Sequence, residues 1–382
     1  MKGHTLPRFP FWLSLALAAI CAGSALPASA ADTPSKPGPD VLTFSNGDRI
    51  TGQFEKVDGG KIFFKTDAAG ELQVPWDKIK GLQVKEPFAV IVKTDKIHRG
   101  HRNLQIPVGS VDATDKEVTV HTESGEQSIP VSSIVVLVDE KSYRNDVEHT
   151  PGILHGWTGA ITGGASTVTS TQDSVSYNTG VAVARPIPSA TWMNPSYRTL
   201  LGFTSSYGEI TEPNFPTVKT NIFHAAGEQD KYFSPRLYIL GQAIFDHNYS
   251  QGLDLQQVYG GGLGYTVIKQ TKQELDVTGT MNYTKQEFQI SSSNLNLVGS
   301  TIGDSYFYHF PRSIVLTEVA SYTPEWNQVD AYSANAAVGL ALPVLKKLAF
   351  SVQVIDSYLN NPPSGFQANS LQFNTGLTYT LP

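Results

Sequence analysis

Residues 262–283 read GLGYTVIKQTKQELDVTGTMNY, and apolar side chains recur at every second position on both sides of a short basic turn. The apolar set is Leu263, Tyr265, Val267, Leu275, Val277, Met281 and Tyr283. Successive side chains of a β-strand point to opposite faces, so this alternation predicts a hairpin of two long strands with one apolar and one polar face. The apolar face would meet a second sheet in a soluble sandwich, or lipid in an outer-membrane barrel.

The first thirty residues predict export. Lys2 and Arg8 precede the apolar run FWLSLALAAICAGSAL, and Ala28-Ser29-Ala30 forms a small-residue cleavage site. This run is shorter than the roughly 20 residues that a spanning helix needs. We therefore expect a signal peptide over residues 1–30, followed by a proline-rich spacer over 31–40. Cys21 lies within this segment, so we expect no disulfide in the exported chain.

An internal repeat follows the spacer, with one copy in residues 41–88 and the second in 89–140. In the two copies Ile50 corresponds to Ile97, Ile79 to Ile134, and the pair Val74-Pro75 to Ile129-Pro130. Each copy contains short β-patterned runs separated by glycine and aspartate turns, which is typical of small all-β domains. The sequence predicts two tandem SH3-like or Sm-like β-barrels, joined by a linker over 141–154 to the rest of the chain.

The charge of the repeats bears on their partner. Residues 41–139 carry 12 Lys and Arg against 14 Asp and Glu, and the whole chain has a net charge of -6. Nucleic-acid binding depends on basic residues that neutralise phosphates, and no basic stripe is present. We therefore expect no nucleic-acid partner, and instead a contact with a periplasmic protein or the cell wall.

Residues 155–382 predict an antiparallel transmembrane β-barrel of about twelve strands. The alternating segments begin near residues 155, 173, 196, 217, 236, 254, 272, 298, 312, 328, 346 and 369. The connections FSPR, KQTK, FPR and LPVLKK are short, whereas those at the other end of the strands are mostly longer and polar. Bacterial outer-membrane barrels have short periplasmic turns and longer outside loops. The pattern thus predicts that the protein lies in the outer membrane of a Gram-negative bacterium, with its repeats in the periplasm.

Aromatic residues on the apolar parity fall towards the strand ends. Such side chains favour the membrane interfaces, with the apolar ring in lipid and the polar group among headgroups. We expect two interface rings formed by Trp157, Tyr197, Tyr207, Tyr249, Tyr265, Tyr283, Tyr322, Tyr332, Phe350, Tyr358 and Tyr379.

Polar residues on the opposite parity are expected to face the lumen. They are Asp246, Asp276, Asn282, Asn335, Gln353, Gln372 and Asn374. Two interpretations stay open for them: a pore or solute site, or a hydrogen-bonded filling of a narrow lumen.

Two features depart from the barrel pattern. Glu318 falls on the lipid-facing parity, where a charge is costly, so either a bulge or a shift of one residue in the ninth strand is expected there. The closing strand LQFNTGLTYTL resembles the signal that the barrel-assembly machinery reads, which makes that machinery and outer-membrane lipid expected partners. However, the chain ends in Leu381-Pro382 rather than in an aromatic residue.

Several stretches resemble a known family. The motifs are DHNYSQGLDL, GGGLGY and NNPPSGF, within a region of roughly residues 155–382. This region is similar to the family of salt-induced outer-membrane proteins, a β-barrel family of unknown function. The resemblance implies an outer-membrane barrel and a link to salt, and it supplies no catalytic residue or substrate.

No enzymatic motif is apparent. The nucleophile elbow G-x-S-x-G and the metal motif H-E-x-x-H are absent from the sequence, and four histidines, at 155, 224, 247 and 309, fall on different strands. Asp246 is adjacent to His247, so the two would point to opposite faces. The glycines of residues 260–264 fit close packing inside the barrel better than a nucleotide loop. We predict no catalytic, cofactor-binding or metal-binding residues.

The sequence thus favours a non-enzymatic envelope protein or a narrow pore with periplasmic interaction repeats. A membrane-embedded lipid hydrolase and a secreted soluble β-sandwich are the alternatives. The link to salt comes only from the family resemblance.

Overall fold

A computed structural model describes residues 38–95, 97, 103, 105–149, 152–168, 173–190, 193–212, 215–270 and 272–381. The predicted signal peptide and all but the end of the spacer lie outside these residues. Within them the chain is almost entirely β-structure, with an N-terminal unit followed by a large barrel. In this part of the chain no helix has the length and apolar character needed to cross a membrane.

Nine strands form the N-terminal unit. Their bounds are Asp40–Phe44 (β1), Arg49–Asp58 (β2), Lys61–Thr66 (β3), Gly70–Pro75 (β4), Ile79–Val92 (β5), Val108–Thr114 (β6), Glu117–Thr122 (β7), Gly125–Pro130 (β8) and Ile134–Asp139 (β9). The two repeats share a structural feature at corresponding positions. Strands β4 and β8 both end in proline and both lead into a 3-10 turn, at Trp76–Lys78 and Val131–Ser133.

The two repeats are joined into one unit. Strand β5 crosses the boundary predicted at residue 88, so it ends the first repeat and begins the second. The second strand of each repeat pairs with the last strand of the other: residues 56–58 of β2 pair with 136–138 of β9, and residues 81–84 of β5 pair with 111–114 of β6. Strands β1, β2, β9 and β5 consequently close a small barrel.

A single apolar core runs through both repeats. Leu42 and Phe64 from the first repeat and Val111 and Val118 from the second are fully buried in the same cluster. The short helix α1 (Glu140–Tyr143) and the π-helical turn Arg144–Glu148 follow β9 and cover a second cluster around Tyr143. Met193, from the large barrel, packs against this second cluster, so the two parts of the chain are in contact.

The large barrel closes from twelve antiparallel strands, which confirms the predicted all-β class and the C-terminal barrel. Their bounds are Thr158–Val168 (β10), Asp173–Ile187 (β11), Tyr197–Thr211 (β12), Val218–Tyr232 (β13), Leu237–Asn248 (β14), Leu253–Gln270 (β15), Gln273–Phe288 (β16), Leu295–His309 (β17), Val315–Thr323 (β18), Ser333–Leu345 (β19), Leu348–Leu359 (β20) and Asn369–Leu381 (β21). Strand β10 pairs with β21 and seals the ring.

Apolar side chains on the outer surface are exposed along the whole ring. Leu263, Met281 and Phe373 are examples, and Met281 is 67% exposed. A soluble sandwich would bury these residues between two sheets, whereas here the strands form one closed barrel. The sandwich alternative is therefore wrong, because the apolar parity points away from the protein.

We call the end at which β10 begins the entry end and the opposite one the far end. The entry-end connections are residues 188–196, 233–236, 271–272, 310–314 and 346–347. The far-end connections are residues 169–172, 212–217, 249–252, 289–294, 324–332 and 360–368. Most entry-end connections are the shorter ones, as the sequence predicted.

Glu318 does face outwards. The pairing of β17 with β18 runs without a break from Ile302–Tyr322 to His309–Val315, so both the expected bulge and the expected one-residue shift are wrong. Asp304 and Asp356 share the outward parity, on β17 and β20. The outer face of the barrel therefore carries these carboxylates, two of them on the paired strands β17 and β18.

Candidate functional site: the barrel lumen

One half of the lumen is filled by polar side chains. On strands β13 to β17 the inward residues are largely withdrawn from solvent, and Asn282 and Gln286 are examples. The amide of Asn282 lies 2.9 Å from the hydroxyl of Thr280 and 2.5 Å from that of Thr301. The buried inward polar residues of this half are Asp230, Thr266, Asp276, Thr280, Asn282, Thr284 and Gln286.

The other half of the lumen is accessible. Val319 on β18 alternates with the outward Glu318 and pairs with Ser305 and Ala337 on the lumen side, yet it is 51% exposed. Asn335 on β19 is also inward and exposed. On the same side of the ring, the inward positions of β10 and β11 include small residues such as Gly164 and Gly180. The small side chains of β10 and β11 leave space in their part of the lumen, whereas larger polar side chains fill the part beside β13 to β17.

A charged cluster lies at the entry end of the filled half. The Arg198 guanidinium on β12 contacts Asp230 on β13 (Nε to Oδ2, 2.6 Å) and Asp276 on β16 (Nη2 to Oδ2, 2.8 Å). Its Nη1 atom is 3.6 Å from Oε1 of Glu274. Asp230 is fully buried, so this charge depends on Arg198 for compensation. We call Arg198, Asp230, Glu274, Asp276, Tyr232 and Tyr238 the Arg198 cluster.

Two tyrosine rings complete the Arg198 cluster. The guanidinium carbon of Arg198 is 5.0 Å from the ring centre of Tyr238 and 5.7 Å from that of Tyr232, within the range of cation–π attraction. Tyr238 fits because its neighbour Gly264 has no side chain: a Cβ there would sit 2.1 Å from the ring. The predicted role of the glycines in residues 260–264 as close-packing positions agrees with this geometry.

Carboxylates outnumber cations within the Arg198 cluster. Asp230, Glu274 and Asp276 surround Arg198, and Glu228 lies on the same strand and face as Asp230. The nearby cation Lys269 donates from Nζ to the Pro235 carbonyl at 2.7 Å and to Asn194 Oδ1 at 3.2 Å. The cluster itself therefore has an excess of acidic groups, whereas the entry-end connections carry cations, namely Arg236, Lys272, Arg312, Lys346 and Lys347.

A chain of side-chain hydrogen bonds crosses four strands of the filled half. His224 Nδ1 is 2.6 Å from Oδ1 of Asp246, Gln256 donates to the other Asp246 oxygen at 3.0 Å, and Gln286 donates to Gln256 at 2.7 Å. In the sequence Asp246 is adjacent to His247, whose side chain points to the opposite face. The partner is His224 because it lies directly opposite on β13, and only the pairing register reveals this contact.

The far mouth is crossed by two loops that meet. Gln251, in the connection between β14 and β15, donates from Nε2 to the carbonyls of Ser357 (2.9 Å) and Ala368 (2.8 Å). The backbone N–H of Gln367 also donates to the Ser250 carbonyl at 3.4 Å. We call residues 249–252 and 360–368, in contact, the loop bridge.

An apolar cluster lies beside the loop bridge. Leu253, Phe288 and Leu359 are buried against one another, and Leu295 packs on them. Gly252 has a φ of 66°, and a Cβ there would lie 2.7 Å from the ring of Phe366. The two sequence motifs NYSQGL and NPPSGF thus meet at this point.

The other predicted lumen residues fall on the inner face. Gln353 on β20 pairs with Asn374 on β21, Gln372 pairs with Ile355, and Asn335 pairs with Ser357. Asp276 belongs to the Arg198 cluster and Asp246 to the hydrogen-bond chain. The structure brings the Gln353 and Asn374 positions together and keeps them apart from the charged entry end.

The predicted interface aromatics occupy outward positions or strand ends. Trp157 precedes β10 and donates from Nε1 to the Ile153 carbonyl, and Tyr249 lies in the loop bridge. At the far end Tyr332 packs between Tyr322 and Tyr358, with ring centres 6.0 and 5.9 Å away. On the outer surface the exposed rings are Tyr197, Tyr265, Tyr283, Phe350 and Tyr379, and Tyr207 stacks on Tyr177.

Within the described ranges, no group of three or more His, Cys, Asp or Glu side chains has an arrangement that could hold a metal ion. The candidate site is therefore built from ion pairs, amides and hydroxyls.

Comparison with known proteins gives a family and a set of distant structures. Residues 161–381 match the family model described as "Protein of unknown function, DUF481". No curated protein matches the chain. The NanC porin in a rhombohedral crystal form has 8% identity and a TM-score of 0.35, covering 59% of this chain and 100% of that chain.

Two further structures give similar values. The KdgM porin has 11% identity and a TM-score of 0.30, covering 59% of this chain and 99% of that chain. The translocator domain of the autotransporter NalP from Neisseria meningitidis has 12% identity and a TM-score of 0.30, covering 58% of this chain and 87% of that chain.

Proposed function

Because this chain belongs to the family described as "Protein of unknown function, DUF481", whose description supplies no activity, we propose a function from the geometry: a non-enzymatic outer-membrane barrel that forms a narrow pore. The entry end faces the periplasm in this proposal, and the far end faces outside.

Membrane insertion is supported by the outer surface. Apolar side chains cover it along the ring, and aromatic rings lie towards both ends of the strands. Exposed apolar surface of this extent is unfavourable in water and is favourable against lipid. The outer-membrane lipid and the barrel-assembly machinery are therefore partners in this proposal.

The asymmetric lumen is the observation that carries the pore. Val319 and Asn335 face inwards and yet are exposed, whereas Asn282 and Gln286, which face inwards from β16, are buried. A lumen fully plugged by its own side chains would bury both sets. The accessible wall along β18 to β21 and β10 to β11 is the proposed water-filled path.

The acidic excess of the Arg198 cluster supports a preference of the pore for cations. Asp230, Asp276 and Glu274 outnumber Arg198, and a narrow opening with low-dielectric walls concentrates ions of opposite sign. The expected solutes are therefore small cations or neutral molecules rather than anions.

The N-terminal unit is proposed to contact another periplasmic component. Strands β4 and β8 are the edges of its sheet and present unpaired backbone groups, as strands that accept a partner strand do. Their bordering charges, such as Glu71 and Glu126, suit a protein or the cell wall better than a nucleic acid.

Lipid hydrolysis receives less support. The Asp246 and His224 pair has the orientation of a general base, but both residues face the lumen, where the acyl chains of the bilayer do not reach. Regulation by salt, which the family resemblance implied, remains an expectation without structural support.

Planar-bilayer recording on the purified full-length chain tests the pore. We expect discrete, cation-preferring conductance that falls severalfold in Val319→Trp, because the indole would fill the accessible half. Val338→Trp is the matched control, since Val338 lies on the outer face and is similarly exposed. Equal conductance in both variants, or a parent chain that shows no opening events, would contradict the proposal.

A further inference from the structure

We propose that the loop bridge is a gate: it closes the far mouth when its two segments are in contact and opens the lumen when they part. This inference rests on the proposed pore and names how that pore is regulated. It is carried by the position of the two loops in the ring, by the contacts that join them, and by the weakness of those contacts relative to the strands.

The two segments come from opposite sides of the barrel. In the closed ring of twelve, β20 lies six positions from β14, and β21 lies six positions from β15. A connection between β14 and β15 therefore reaches the connection between β20 and β21 only by crossing the mouth. Gln251 does so, since it contacts carbonyls that are 106 and 117 residues further along the chain.

The contact depends on a buried amide. Gln251 is 4% exposed and its Nε2 group donates both of its hydrogens, one to Ser357 and one to Ala368. If the segments part, all of these groups become accessible to water and are hydrated. The closed state therefore exchanges water hydrogen bonds for internal ones, an exchange with a small net free energy.

Gly252 sets the close approach of the two loops. Its positive φ is unfavourable for other residues, and its missing side chain leaves the space that the ring of Phe366 occupies. Gly365, in the other segment, also has a positive φ, of 93°, but a Cβ there meets nothing within 4 Å. Gly252 is therefore needed for the contact across the mouth, whereas Gly365 is not.

The two segments of the loop bridge can move without disturbing the barrel strands. Both segments are connections outside the strands, and the barrel ladder does not depend on them. Opening would break the Gln251 bonds, the backbone bond from Gln367 to Ser250, and part of the apolar contact around Leu253 and Leu359. These are few contacts compared with the ladders of β14–β15 and β20–β21, so the loops can part while the barrel stays closed.

Cysteine labelling tests the gate without relying on conductance. Val319→Cys places a thiol in the lumen of an exported chain expected to contain no other cysteine, and a membrane-impermeant maleimide is applied from outside to intact cells. We expect Gly252→Ala to speed labelling on the order of tenfold, because the added Cβ collides with Phe366 and the loops separate. Gln251→Ala should act in the same direction.

Matched variants test whether faster labelling of Val319→Cys has a cause other than separation of the loops. Gly365→Ala strains a comparable glycine without a collision and should leave the labelling rate unchanged. Ser291→Cys, exposed in a far-end connection, should label equally fast with and without Gly252→Ala. Heat-modifiable migration of each variant checks that the barrel is intact. Equal labelling of Val319→Cys in the parent and in both opened variants, with intact barrels, would overturn the gate.

A crosslink provides the converse test. The backbone atoms of Ser250 and Gln367 approach to 3.4 Å, so cysteines at these positions fall within disulfide reach, and oxidation should keep the mouth closed. On the Gln251→Ala background, labelling of position 319 is read from its own peptide, because reduction frees two further thiols. We expect slow labelling of Val319→Cys when oxidised and fast labelling after reduction. Labelling that ignores the redox state of a bond verified by mass spectrometry would contradict the gate.

The gate and the pore fail in different ways. If Gly252→Ala accelerates labelling but no variant conducts ions, the loops do close the mouth and the pore proposal is wrong. If the parent chain conducts and Gly252→Ala changes neither labelling nor conductance, the pore stands and the gate is wrong.

Discussion

The guanidinium of Arg198 and the carboxylate of Asp230 form a buried ion pair, with Nε 2.6 Å from Oδ2, on neighbouring strands at the entry end of the barrel. Asp230 is fully buried and Asp276 nearly so, and both depend on the one guanidinium. The pair thus links the stability of the barrel to the charge of its lumen.

Removing the cation of the Arg198 cluster should destabilise the barrel. Arg198→Met leaves two buried carboxylates without compensation, which costs about 3–5 kcal/mol in comparable buried pairs. We expect a lower temperature for the heat-modifiable transition, and partial recovery in Arg198→Met combined with Asp230→Asn. Lys347→Met, which removes an exposed cation from an entry-end turn, is the control, and an equal loss there would contradict the assignment.

Replacing Glu318 should stabilise the barrel in lipid. Its side chain lies on the outer face, hydrogen-bonded to the carboxyl group of Asp304, where an ionised carboxylate is poorly solvated. Glu318→Leu is expected to raise the transition temperature in bilayers, by a free energy of roughly 1–2 kcal/mol. Glu287→Leu is the comparison, because Glu287 pairs with Lys285 at 2.6 Å near the far end and should not give this gain. A destabilised Glu318→Leu variant would contradict this prediction and would indicate that the contact with Asp304 outweighs the cost of the carboxylate in lipid.

Glu325 should make the far-end loops sensitive to pH. It lies in the connection between β18 and β19, and burial raises its pKa from 4.5 to about 7. Because the folded chain retains this proton to higher pH, stability falls as pH rises from about 4.5 to 7 and then levels off. Glu325→Gln should remove this loss, with a higher transition temperature above pH 8 and little change below pH 4. Equal pH profiles of the two chains would contradict the burial.

His121 should titrate above its usual range. Asp112 is 3.0 Å from Nε2 and Glu126 is 3.2 Å from Nδ1, and the hydrogen bond to Asp112 is the main cause of the raised pKa. Any stability from the charged ring is present below pH 6.5 and is lost as pH rises through the folded pKa. NMR titration should find a pKa above 6.5 that falls in Asp112→Asn. An unchanged pKa in that variant would contradict the contact.

Alternation predicted most of the barrel because it is a local property of each strand. The twelve expected strand starts agree with the observed ones to within a few residues, and β19, which begins at Ser333 rather than near 328, differs most. The inward and outward assignment of Glu318 was also correct, although it conflicted with the usual cost of a charge in lipid. Parity follows from the pleat, so it holds even where the chemistry is unfavourable.

Contacts between distant strands could not be predicted in this way. The His224 and Asp246 pair depends on the register of β13 with β14, and the Arg198 cluster joins β12, β13 and β16. Only relative register, which loop conformation sets, decides which inward residues meet. The contact between NYSQGL and NPPSGF could not be predicted from local patterns either. It forms only because the barrel closes and brings the two loops to the same mouth.

The repeats illustrate a similar limit. Their correspondence predicted two small barrels, and each copy does supply the same order of strands and the same 3-10 turn. The exchange of pairing between β2 and β9 and between β5 and β6 depends on one continuous strand, β5, which no local pattern distinguishes from two shorter ones.

The most direct test of the membrane barrel is the cellular location and the gel migration of the chain. Outer membranes are separated from soluble extract, and samples are run on a denaturing gel with and without boiling. We predict that the chain fractionates with the outer membrane and migrates as a compact species unless it is boiled, because a closed barrel with an apolar outer face resists detergent. A chain that stays in the aqueous fraction and migrates identically in both samples would contradict the membrane barrel, and the pore and gate with it.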